Sequence, residues 1–142
     1  MGGGWIYVFM TASDYNRYKV GLTRNNPMLR LNQLKTADPM IAFQVAYFIP
    51  NSLDVKLSVI EKMIHQELGV PVFFWNEEPS EWFYGEPRDV WSKLDDLFEM
   101  FGFEVTDYFD PDGKKVVRFW EESLNAIYAP PLPMDEDGFP LF

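Results

Sequence analysis

Two runs near the N-terminus constrain this chain more than any other feature. Trp5–Thr11 (WIYVFMT) and Arg17–Thr23 (RYKVGLT) are dense in β-branched and aromatic residues, and the polar stretch ASDYN separates them. Such residues fit a pleated, half-buried surface, so the segment predicts a β-hairpin. Asn26-Pro27 then reads as an N-cap followed by proline at the first helical position, opening a helix to about Ala37. IAFQVAYFI from Ile41 reads as a third strand. Leu57, Ile60, Ile64 and Leu68 recur at helical spacing, with Ser52 as the cap and Gly69 and Pro71 as the stop.

Residues 69–81 (GVPVFFWNEEPSE) read as a loop and WFYG as a short strand. Glu86-Pro87 opens a helix to about Phe101, with Trp91, Leu94 and Phe98 inward and Asp95 and Asp96 on the wet side. After Gly102 the pattern changes: DPDGKK is a turn signal, VVRFWEESLNAIY a strand and short helix, and APPLPMDEDGFPLF is too rich in proline and acid to pack. The fold class expected is α+β, a small three-stranded antiparallel sheet flanked by helices. The domain spans residues 1–101, and a C-terminal extension covers 102–142 with an acidic, Pro-rich tail from about 129.

Composition narrows the chemistry. With 47% hydrophobic residues in 142, the chain can bury the core of one domain. It has no cysteine, which excludes disulfides, thiolate nucleophiles and zinc ribbons and fits an intracellular, cytoplasmic setting. His65 is the single histidine, so a metal site must rest mainly on carboxylates, which points to a hard ion, Mg2+ or Mn2+. No apolar run is long enough for a membrane helix, and MGGGW lacks the pattern of a signal peptide. The net charge of −10 opposes a polyanionic partner, but residues 1–60 carry +3 and residues 61–142 carry −13. Any basic surface must therefore come from the first half.

Five motifs follow one another in a telling order: WIY at Trp5–Tyr7, YKVG at Tyr18–Gly21, Arg30 nine residues later, EKMIH at Glu61–His65 and SEWF at Ser80–Phe83. Over about residues 4–100 this order resembles the GIY-YIG nuclease superfamily. It is most similar to the phage-type branch, where the second motif reads K-I-G and the acidic motif E-W-F. Trp5 stands where the superfamily name puts Gly, and Lys19 where it puts Tyr. The resemblance implies an endonuclease acting on nucleic acid, DNA before RNA, with Tyr7 as general base and Lys19 as its neighbour. It also implies Glu81 as the ligand of Mg2+ or Mn2+, and His65 as a phosphate contact or a support behind the metal.

The chemistry of these residue types can be followed separately. Alternate side chains of a strand share a face, so Lys19 shares one with Gly21, and a hairpin can bring Tyr7 and Lys19 together. A tyrosine has a reference pKa near ~10, and lowering it by about three units takes about 4 kcal/mol of preferential stabilisation of the phenolate. A neighbouring Lys or Arg has the right sign for this. Gly21 leaves room for close approach. Arg30 offers a planar, always charged fork to phosphate oxygens. Glu81 as the one carboxylate leaves most of a magnesium shell to water and substrate phosphate. Tyr18, Gly21, Arg24 and Lys35 are candidates for substrate binding, and Arg17 is a surface charge of the same kind.

Plain structural readings exist for each residue: a packed tyrosine, a solvated arginine, and a Glu61–His65 pair at helical spacing. A second functional reading also exists. In it the chain is a non-catalytic interaction module whose acidic C-terminal half binds a basic protein or mimics nucleic acid.

Overall fold

The computed structural model describes residues 3–128. The acidic, Pro-rich tail from about 129 lies outside the described residues. The hairpin forms as expected: β1 (Gly4–Thr11) and β2 (Asp14–Thr23) pair antiparallel, and β3 (Ile41–Ile49) pairs antiparallel with the other edge of β1. The sheet is larger than three strands. β4 (Pro71–Phe73) and β5 (Pro79–Tyr84) extend it beyond β2, and β6 (Val105–Thr106) and β7 (Val116–Phe119) extend it beyond β3. The order is β4-β5-β2-β1-β3-β7-β6, seven strands among the described residues, with only β6 and β7 parallel.

Among the described residues four α-helices cover this sheet: α1 (Pro27–Leu34), α2 (Leu57–Leu68), α3 (Val90–Met100) and α4 (Glu121–Tyr128). Asn26 caps α1 by accepting from the Met28 backbone N–H at 2.9 Å, with Pro27 in the first turn. Ser52 does not cap α2. It lies in a separate 3-10 turn, Asn51–Leu53, and its hydroxyl donates to the Gly113 carbonyl.

The layers follow from strand alternation. Ile6, Val8, Tyr18, Val20, Val45, Tyr47 and Ile49 face α2 and α3, where Ile60, Ile64, Leu94 and Phe98 are buried against them. Trp5, Tyr7, Phe9, Phe43 and Ala46 face the other way, toward Leu31 of α1 and Leu124 of α4. The switch in β3 from odd to even positions comes from a bulge near Gln44, where Val8 pairs Val45 but Phe9 pairs Phe43. One extra residue in β3 thus lets a mostly apolar run serve both cores.

Asp95 is not on the wet side. It is half-buried against Arg118 of β7 and the Tyr47 hydroxyl, because β7 completes the sheet beside β3 and brings a cation over α3. Among the described residues no helix is long and apolar enough to cross a membrane.

Candidate functional site

The hairpin register sets the first part of the site. Tyr7 directly faces Gly21 and Phe9 faces Lys19, so these four residues share one face of the sheet. Tyr7 is 1% exposed and stacks on Phe9, with ring centroids 4.2 Å apart. A Cβ on Gly21 would collide with the Tyr7 ring and hydroxyl and would stand 2.8 Å from Glu81 Oε2. The missing side chain is therefore what lets a phenol and a carboxylate approach one point.

Glu81 reaches that point through a local irregularity. Phe83 of β5 lies in the core facing α2 and α3, and simple alternation would send Glu81 the same way. The β4–β5 ladder breaks register between Pro71↔Phe83 and Phe73↔Pro79, leaving more residues on β5 than on β4. Pairing with β2 ends at Lys19↔Trp82. Within the break, Ser80 Oγ donates to the Val72 carbonyl and accepts from the Trp82 N–H. A bulge of this kind re-aims a side chain, and Glu81 Oε2 lies 2.9 Å from Lys19 Nζ. Lys19 is 8% exposed, whereas the Glu81 side chain is 39% exposed, so the ammonium is withdrawn from water and the carboxylate still reaches it. Trp82 floors the same face, with the Arg17 guanidinium 4.8 Å and Lys19 Nζ 5.9 Å from its ring centroid.

α1 supplies the third part. Leu31 anchors it in the core beside Tyr7 and Phe9. Its neighbour Arg30 stands close enough to the Tyr7 oxygen to act on its charge, and its Nη1 also donates to Gln33 Oε1 at 3.2 Å. The Tyr7 phenol is not lowered as expected. Burial first, and the Glu81 carboxylate second, push it up to about 12, against the opposing pull of Arg30. The expected helper, Lys19, spends its charge on Glu81.

α2 contributes a group to which sequence reasoning gave no role beyond pairing His65. The Glu61 carboxyl is pushed up to about 7, by burial first and by Glu81 second, while the Leu22 backbone N–H and Lys19 pull it down. Its Oε2 is a buried atom with no hydrogen-bond partner. His65, four residues on, holds the helix to the hairpin: its Nε2 lies 2.8 Å from the Val20 carbonyl, and its ring packs 5.1 Å from that of Phe83. Glu61, His65 and Glu81 line one open cavity of about 480 Å³. Spacing alone places Glu61 on one helical face with His65; only the packing of α2 on β2 brings it to the site.

Tyr7, Lys19, Gly21, Arg30 and Glu81 are thus brought together, with His65 at the edge. Tyr18, Arg24 and Lys35 are not part of that cluster. Tyr18 is buried on the opposite face against Phe83. Arg24 is exposed and lines a separate cleft with Lys56, and Lys35 is exposed beyond the end of α1. No group of three potential metal-ligating residues occurs among the described residues. Glu81, and Glu61 with its orphaned oxygen, are hard donors, which fits an ion that keeps several waters and a substrate phosphate in its shell.

Residues 4–99 match the T5orf172 domain. No curated protein matches the chain, and no solved structure matches it.

Proposed function

Since the chain belongs to the T5orf172 domain family, a phage-associated and nuclease-related domain, we propose that it is a divalent-metal-dependent endonuclease of GIY-YIG type that hydrolyses phosphodiester bonds in DNA in preference to RNA. The observation that carries this reading is convergence. Tyr7, Lys19, Gly21, Arg30 and Glu81 come from β1, β2, α1 and β5 and meet around the space left by the Gly21 side chain. A packing role explains a buried tyrosine, but it gives no reason to surround its hydroxyl with a guanidinium and two carboxylates.

Each group has a task in phosphodiester cleavage. Arg30 offers its fork to the phosphate oxygens and gains most as negative charge gathers in the transition state. Tyr7 accepts the proton of the attacking water. With a pKa of about 12 it is a strong base once deprotonated but is almost wholly protonated at neutral pH, so the rate rises with pH. Lys19 holds Glu81 in place at 2.9 Å. Glu81 is the ligand for Mg2+ or Mn2+, which when bound supplies Lewis-acid polarisation of the phosphoryl group. Trp82, with Arg17 over its ring, floors the approach to Lys19.

The direct test is incubation of the purified chain with supercoiled plasmid and Mg2+ or Mn2+, beside a chelator control. Nicking that depends on the ion is expected. Absence of cleavage on duplex, single-stranded and RNA substrates would sink the reading and leave the non-catalytic module in its place.

A further inference from the structure

We infer that Glu61 of α2 is a second carboxylate ligand of the cation that Glu81 holds, so that the metal site spans the helix and the bulged strand. The inference rests on the proposed metal-dependent activity and extends it to a residue outside the five that meet around Gly21.

Charge comes first. Lys19 Nζ lies 2.9 Å from Glu81 Oε2, and the two form a pair with no net charge. A divalent cation approaching that pair alone meets an ammonium already seated on the only acidic ligand. Glu61 changes the balance, because it brings a second carboxyl within electrostatic reach of both Glu81 and Lys19. Lys62 also touches the cavity but is exposed to solvent, where its charge is screened.

Geometry comes second. Glu61 and Glu81 line the same open cavity of about 480 Å³, which has room for an ion with its waters. Glu61 Oε2 is buried with no hydrogen-bond donor. Buried acceptors are almost always satisfied, and an orphaned carboxyl oxygen within electrostatic reach of another carboxylate is a costly arrangement unless a cation joins them. His65 does not serve that purpose, since its Nε2 is taken by the Val20 carbonyl. Two carboxylates with waters and a phosphate oxygen make an acceptable magnesium or manganese shell.

The test reads metal binding without cleavage. Mn2+ is titrated into the full chain, with no nucleic acid present, and free Mn2+ is followed by electron paramagnetic resonance for wild type, Glu61→Gln, Glu61→Asp and Glu81→Gln. Both glutamine variants are expected to raise the Mn2+ Kd at least about tenfold. Glu61→Asp keeps the charge but withdraws the oxygens by one methylene, and it should also bind more weakly than wild type. Circular dichroism shows which variants are folded. Wild-type affinity in Glu61→Gln beside weakened Glu81→Gln overturns the inference and leaves the proposed function standing. Wild-type affinity in Glu61→Asp reduces Glu61 to a distant charge and equally overturns it. No Mn2+ binding by the wild-type chain sinks both.

Discussion

Two clusters in this molecule use nearly the same residues to opposite ends. On one face of the sheet a buried tyrosine, Tyr47, lies 2.8 Å from Asp95 Oδ1 and from the Trp91 carbonyl. Arg118 grips Asp107 with two bonds of 2.8 Å, also binds Asp95, and lies against the rings of both Trp91 and Trp120. Its guanidinium holds Asp107 below the usual carboxylate range. On the other face a second buried tyrosine, Tyr7, stands among Arg30, Lys19, Glu81 and Glu61, yet Glu61 Oε2 has no partner, and among the described residues Arg30 bonds Gln33 and the Tyr7 oxygen rather than a carboxylate. Satisfied networks fix a fold, whereas unsatisfied ones leave valence for something that arrives later. The first cluster ties β7 and α3 to β3; the second is open at a cavity.

The comparison breaks hardest if the two arginines are exchanged in role. Tyr7→Phe removes the proton acceptor and should lower cleavage by about 10²–10⁴-fold while leaving the melting temperature within a few degrees, because the ring still stacks on Phe9. Arg30→Ala should cost about 10²–10³-fold in rate, weaken binding modestly and reduce its salt dependence. Arg118→Ala should act on stability instead. It strands the part-buried Asp95 carboxylate, at a cost of about 3 kcal/mol, read as a melting temperature lower by about 10 °C. Plasmid nicking and thermal melts on the same three proteins decide it, and a catalytic loss in folded Arg118→Ala larger than that in Arg30→Ala would erase the distinction.

Glu81→Gln sharpens the comparison rather than breaking it. The substitution keeps the shape and removes a negative charge near the phosphate, so cleavage falls while DNA binding in a gel shift survives or strengthens. Loss of binding together with cleavage would mean that Glu81 holds the fold, as Asp95 does.

How much of this was legible in the sequence depends on where each residue gets its partners. The three central strands are readable because Ile6, Val8, Val20 and Val45 alternate or cluster in β-branched runs. WFYG was readable as a strand, but its partner β4 and the start of β5 were hidden, since Pro71, Asn76 and Pro79 look like loop and the pairing runs through a bulge. β6 and β7 join by a parallel pairing that no local pattern announces. Asp95 was assigned to water because its own helix allows that; the cation that claims it comes from 23 residues away. At the candidate site, motif order singled out Tyr7, Lys19, Arg30 and Glu81, which the fold brings together. Glu61 was in view inside EKMIH, but its role depends on how α2 lies across β2, which spacing does not encode. The Tyr7 pKa moves up rather than down because the phenol is buried and, second, because Glu81 lies near it, and neither is visible in a motif.

The smallest effect, a few degrees in melting temperature, tests whether the open cluster is strained. In the metal-free chain the Glu61 carboxyl is raised from 4.5 to about 7, by burial first and by Glu81 second. A folded-state pKa above the unfolded one means that the folded chain holds the proton more tightly. The stabilisation linked to this group is therefore fully present below about 4.5 and is lost as pH rises through about 7. Glu61→Gln mimics the protonated form at every pH. With a chelator present, the two proteins should melt nearly together at the acid end of this window, and the variant should melt higher at the neutral end. The difference between the curves cancels every other titrating group. Parallel curves across the window would mean that Glu61 meets no greater penalty folded than unfolded, and the open cluster would then be as well satisfied as the one around Arg118.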